Sequence, residues 1–204
     1  MTMRTQAILT CALAVVLLAG CAPEADAGAG SPKPTASPTP SASATPTARP
    51  AHFTQPKTCA EALPASRLDA FAQQGLTLLG GPEGKFGNHY TADPSPEQQA
   101  GGITCIWGDD ESNVSSLTIS VAPLYTSSRA VVVASLVGQG LNEKIDGELT
   151  LYGQFGDENT EPAILNVLRT DSWISLISAQ GGDSAYDTVL TISNEVALSV
   201  YLAD

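Results

Sequence analysis

The chain reads as an α+β protein built on a mostly antiparallel sheet of about five to six strands, with two or three helices packed on it. Three observations predict this. Short runs of alternating apolar and polar residues come in pairs around turn-forming clusters, as at 103–121 and 163–179. A long stretch near the C-terminus instead repeats its apolar residues every three or four positions. Third, a hairpin followed by a helix occurs twice, at 103–138 and 163–202, the pattern of a two-fold pseudo-repeat.

In chain order, Cys59 to Phe71 predicts a short helix with Leu63, Leu68 and Phe71 inward. Pro64 either splits it or sits in the first turn of a second piece. Leu76 to Leu79 suits a short strand, and Gly80 to Gly102, rich in Gly and Pro, a long loop. Ile103, Cys105 and Trp107 alternate with Thr104 and Ile106; Leu117, Ile119 and Val121 alternate with Thr118 and Ser120. The turn chemistry of 108–113 joins the two runs into a hairpin. Thr126 to Val137 predicts a helix capped by Thr126 or Ser127 and ending near Gly138 or Gly140, although Val131, Val132 and Val133 also suit a strand. Leu149, Leu151 and Phe155 alternate ahead of a turn at 156–159, and Ala163–Leu168 with Trp173–Ala179 form the second hairpin. After Gly181 and Gly182, Ser184 to Leu202 predicts the longest helix. Its core face carries Val189, Ile192, Val196 and Val200, while Asp187, Thr191 and Glu195 face away.

The N-terminus is of a different kind. Arg4 alone charges the first six residues, and twelve mostly apolar residues follow from Ala7 to Leu18. As a helix they span about 18 Å, short of a hydrocarbon core of about 30 Å. That length suits a signal peptide over 1–20. Leu18-Ala19-Gly20-Cys21 resembles the bacterial lipobox, which implies a lipid on the Cys21 thiol, cleavage before it, and a place on the outer face of the cytoplasmic membrane. Residues 21–56 are then a tether, since Pro, Ser, Thr and Ala bury too little surface to offset the entropy of ordering. Its reach is on the order of 100 Å extended, or nearer 30 Å as a coil. The remaining residues, 57–204, make a single extracytoplasmic domain.

Charge narrows the partners. The whole chain carries −12, and from Lys57 onward six basic residues stand against 19 acidic ones. Binding a phosphate backbone requires clustered Lys or Arg, so nucleic acid is excluded as a partner. The expected partners are the membrane, through the lipid anchor, and an envelope protein or a wall polymer.

Cys11 lies within the apolar run, which leaves Cys59 and Cys105 for the domain. In an exported chain two lone cysteines pair. No Cys-x-x-Cys and no histidine pair favours a metal. The bond would close a loop of about 47 residues, worth up to roughly 4 kcal/mol in chain entropy. Trp107, two residues from Cys105, would pack beside the sulfur. An early Cys59-x-x-x-Leu63 and a later Cys105-x-Trp107 strand, after a lipobox and a Pro/Thr/Ser spacer, resemble a group of actinobacterial envelope lipoproteins. The resemblance covers most of 57–125 and implies location and the disulfide, not an activity.

Chemistry is sparse. His52 lies in the tether, so His89 is the one candidate general base, and no catalytic motif surrounds it. Gly80 to Lys85 misses the phosphate-loop pattern, with Leu79 where its first glycine belongs and Phe86 in place of Ser or Thr. Asp109, Glu111 and Asn113 have the opening spacing of a calcium loop, but Val114 and Ser120 stand where Gly and Glu belong. No catalytic residue, cofactor or metal site is assigned. The expectation is a non-catalytic binding or interaction module. The alternatives are a hydrolase built from dispersed acids and His89, and a carrier of lipid or small ligand.

Overall fold

The computed structural model describes residues 52–202. Cys21, the predicted signal peptide and most of the predicted tether lie outside them. His52–Phe53 (β1) pairs antiparallel with Tyr201–Leu202, and the Thr54 amide donates to the Val200 carbonyl at 2.8 Å. Residues that composition assigns to the tether are thus laid along the domain.

Pro64 divides the first predicted helix. Cys59 to Leu63 forms turns, and helix α1 runs Ala65–Gln73 with Pro64 as its extended N-cap. Proline supplies the φ of a helix entry but lacks the N–H that a helix interior needs. Strand β2 (Leu76–Gly80) follows. The long loop after it is more structured than predicted, with a tight turn at Gly87–His89 and a four-residue helix α2 (Pro96–Gln99). Ser95 and Gln98 make a reciprocal capping box around α2. The loop also blunts the free edge of the sheet, because Lys85 and Phe86 donate their amides to the Leu78 and Leu79 carbonyls. Gly81 is required where it leaves β2. Its φ is +102°, and a Cβ there would fall 2.3 Å from the Thr104 carbonyl oxygen and 3.0 Å from Cys59 Sγ.

Strands β3 (Ile103–Asp109) and β4 (Ser115–Pro123) form the predicted hairpin. Residues 126–138 resolve to helix α3 (Thr126–Gly138), with Tyr125 at the N-cap in place of Thr126 or Ser127. Strand β5 (Asn142–Asp146) has no predicted counterpart, since all five of its residues are exposed and it carries no apolar alternation. It is the other edge of the sheet, and Glu143, Lys144 and Asp146 guard it with charge. Strands β6 (Leu149–Gln154), β7 (Ala163–Leu168) and β8 (Ser172–Ser178) complete a meander. Phe155 falls just outside β6 and stacks on Tyr186, with ring centroids 4.2 Å apart. Helix α4 (Asp183–Val200) ends before the predicted Leu202, because Tyr201–Leu202 becomes β9 against β1. The Tyr201 hydroxyl fixes that exit through hydrogen bonds with Asp171 and the fully buried Ser172.

Among the described residues the fold is therefore α+β, with one antiparallel seven-stranded sheet in the order β2-β3-β4-β8-β7-β6-β5 and four helices. At the level of strands the two meanders meet at β4 and β8 as a two-fold pair would. The helices break that relation, because α3 and α4 lie on opposite faces of the sheet. On one face α1 and α4 cover Cys105, Trp107, Ile119, Leu165, Ile174 and Leu176. Val189, Ile192, Val196 and Val200 of α4 are 0–1% exposed there, as their spacing predicts. Burying each contributes roughly 1.5–3 kcal/mol. On the other face α3 packs through Leu136 on a smaller cluster of Tyr152, Leu168 and Trp173. Glu195, predicted to face away, instead forms a bidentate pair with Arg67 at 2.6 and 2.7 Å that ties α4 to α1.

Candidate functional site

The predicted disulfide is present, with Cα atoms 5.7 Å apart and both cysteines at most 1% exposed. Trp107 packs beside it and against Phe71, ring centroids 5.3 Å apart. All of this lies on the face covered by α1 and α4, and its role is to hold the core.

The opposite face carries the less expected feature. Strand alternation that sends Cys105 inward on one side sends Thr104 to the other. The register then continues Thr104 to Ser120, Ser175, Asn166, Tyr152 and Glu143, one residue from each of six neighbouring strands. Thr104, Ser120, Ser175, Asn166 and Tyr152 are 2–6% exposed, so this polar row is not a solvated surface.

Much of the row is hydrogen-bonded. Ser95 at the head of α2 shares a hydrogen bond with the Thr104 hydroxyl at 2.6 Å, and Thr104 shares one with Ser120 at 2.9 Å. The Trp173 indole N–H donates to Asn166 Oδ1 at 2.9 Å, and the Tyr152 hydroxyl donates to Glu143 at 2.7 Å. Since the indole can only donate, this bond fixes the Asn166 amide with its NH₂ pointing away.

Between α2 and the C-terminal part of α3 the row is roofless, leaving a cleft of about 160 Å³. Ser175, Asn166, Thr118, Trp173, Ile164 and Ile177 line its sheet side. Glu97 from α2 and Ser135, Leu136 and Gln139 from α3 form its walls. Three polar groups here have no protein partner among the described residues: the Ser175 hydroxyl, the Asn166 amide nitrogen and the Glu97 carboxylate. Each belongs to a residue 3–6% exposed. Their polar atoms are not sealed off, since the fully buried side-chain atoms without a partner among the described residues are Gln55 Oε1 and Arg169 Nε, neither of which lines the cleft; the three cleft groups meet water that a ligand could replace. The volume holds several waters and is about half that of a small drug-sized pocket.

Two wider hollows of about 410 and 460 Å³ lie on the α1/α4 side, around Gln180 and Thr188. Polar groups on their rims come from exposed and half-buried side chains, and the second hollow also reaches the buried Phe71, Leu117 and Ile192.

The sequence-predicted polar residues do not converge. His89 is exposed on its tight turn, and its ring makes no hydrogen bond or ion pair among the described residues. The hydrolase alternative requires a partner there, and none is brought to it. Lys85, the lysine of the near-miss phosphate loop, bonds instead to Asp110 at 2.8 Å and to Asn113 at 3.1 Å. The Tyr90 hydroxyl donates to the Asn113 carbonyl at 2.8 Å, fastening the same loop to the hairpin turn. Asp109 accepts from the Ser112 hydroxyl and amide, both at 2.7 Å, which holds its pKa below the usual carboxylate range. Among the described residues no group of three or more His, Cys, Asp or Glu is placed to hold a metal ion. No helix among them is long and apolar enough to cross a membrane.

The cleft itself was missed by sequence reasoning. Its signal is weak but present: Thr104, Ser120, Asn166 and Ser175 are the polar members of strands whose other face is core. Alternation alone reads them as solvent-facing. Compared with known proteins, the chain matches no family model, no curated protein and no solved structure.

Proposed function

We propose that this protein is a lipid-tethered binding module on the outer face of the cytoplasmic membrane, and that it holds a small polar ligand in the cleft between α2 and α3. The address rests on Leu18-Ala19-Gly20-Cys21, the short apolar run before it and the Pro/Ser/Thr spacer after it. The disulfide accords with an oxidising compartment.

The observation that carries the binding reading is the set of polar groups without a protein partner that face the cleft beside a hydrogen-bonded floor. A preorganised floor lowers the entropic cost of holding a ligand, and the free groups supply directional contacts. The lining contributes hydroxyls, amides and one carboxylate, groups suited to directional contacts with a small polar ligand.

The test uses the two indoles. Trp173 lines the cleft, whereas Trp107 is buried on the other face. A screen of small polar fragments against the isotope-labelled full chain in detergent micelles is expected to shift the Trp173 indole N–H and leave Trp107 in place. Hits that shift both indoles, or neither, would remove the cleft as the site. Membrane fractionation of Cys21→Ala tests the tether, with retention in the membrane fraction counting against it.

A further inference from the structure

The most demanding group in the cleft is Glu97. Its residue keeps only 6% of its surface exposed, and its carboxylate has neither a hydrogen-bond donor nor a counter-charge among the described residues. No lysine, arginine or histidine lines the cleft. The carboxylate meets water only through the cleft, and a ligand that displaces this water must supply donors in its place, the best of which is a cation. The floor beneath it offers the Asn166 NH₂ as donor and the Ser175 hydroxyl as donor or acceptor. The acidic domain as a whole also favours approach of a cation over an anion.

We propose that the cleft selects a small hydroxylated amine, such as an amino alcohol or amino sugar, with its ammonium paired to Glu97 and a hydroxyl on Asn166 and Ser175. This inference rests on the reading of the cleft as the binding site. A divalent metal is the less suited occupant, because Glu97 is the single carboxylate lining the cleft. Size sets the upper limit, since about 160 Å³ accommodates one small ring and not a polymer chain.

The test titrates the full chain in detergent micelles with ethanolamine, glucosamine, glucose, glucuronate and calcium chloride, reading heat and the Trp173 and Trp107 indole signals. Glucosamine is expected to bind about tenfold or more tightly than glucose, the scale of one charge-assisted hydrogen bond. Glucuronate is expected not to bind. Glu97→Gln should bring glucosamine down to the level of glucose without changing the melting temperature. Ser175→Ala should weaken both sugars alike and preserve the preference for the amine.

Equal binding of glucosamine and glucose, or an unchanged preference in Glu97→Gln, overturns the amine proposal while leaving the cleft as a site. A Trp173 response to calcium alone that disappears in Glu97→Gln overturns it in favour of a metal. No response of Trp173 to any of the five probes overturns the amine proposal. If the fragment screen is also silent at Trp173, the cleft reading falls with it.

Discussion

The Cys59–Cys105 bond joins residues 46 apart, and the segment between them carries α1, β2 and α2, including one wall of the cleft. Replacing both cysteines with alanine frees that segment in the unfolded chain. For a loop of this length the chain-entropy cost of folding rises by about 4 kcal/mol at 25 °C. The two sulfurs are also core atoms, and deleting them adds on the order of 1 kcal/mol in lost packing. Against a total stability of about 5–15 kcal/mol, the loss is a large fraction. Urea unfolding followed by tryptophan emission measures it: at a slope near 2 kcal/mol/M the midpoint should fall by roughly 2 M. The double variant is the right comparison, because a single substitution leaves a free thiol in the core. A loss under about 1 kcal/mol would refute the reasoning. It would mean that the 59–105 segment stays constrained in the unfolded chain without the bond.

Two further outcomes follow from the geometry. Arg67 and Glu195 link α1 to α4 through two parallel hydrogen bonds with side chains 20% and 27% exposed, and a double-mutant cycle on Arg67→Ala and Glu195→Ala should give a coupling of about 1 kcal/mol that shrinks in high salt. At alkaline pH, burial raises the pKa of Tyr201, Tyr152 and Tyr186, and Tyr201 and Tyr152 are raised further by hydrogen bonds to Asp171 and Glu143. The folded state thus binds these protons more tightly than the unfolded state. The stability this adds is complete below the unfolded pKa of about 10 and is lost as pH rises through the folded values. Melting temperature should therefore fall above pH 10 more steeply in wild type than in Tyr201→Phe, and equal slopes would contradict the assignment.

Much of the fold is legible in the sequence because the main core is written as period. Val189, Ile192, Val196 and Val200 declare a helix face, and Cys105, Trp107, Leu117, Ile119 and Val121 declare a strand face that must be covered. Elements that escape the reading are those whose stability comes from elsewhere. Strand β5 is held by backbone pairing and by the Tyr152–Glu143 hydrogen bond rather than by apolar burial, so its exposed Asn-Glu-Lys-Ile-Asp carries no alternation. Helix α2 is one turn long and held by its capping box, which leaves no periodicity to detect. Tyr201 continues the apolar stripe of α4, yet its hydroxyl partners Asp171 and Ser172 belong to a distant turn and strand, and they end the helix one residue earlier. The polar row escapes for a sharper reason. Alternation distinguishes two faces of a strand but cannot say that both are covered, and serine and threonine suit a solvated face as well as a buried floor.

The walls of the cleft are unequal, and the inequality bears on how it would work. Helix α3 is buried at Leu136, with Val132 and Val133 partly buried against the same cluster, while Val131 and Val137 on its outer side are 70% and 54% exposed. Helix α2 is short but fixed at its head, where Ser95 is bonded both to the Gln98 amide and to Thr104 in the floor. The charged group sits on the fixed wall. A carboxylate already held in place favours a cation over a neutral analogue with less reorganisation when the ligand binds. The other wall contributes Ser135 and Gln139, neutral groups that leave the charged contact to Glu97.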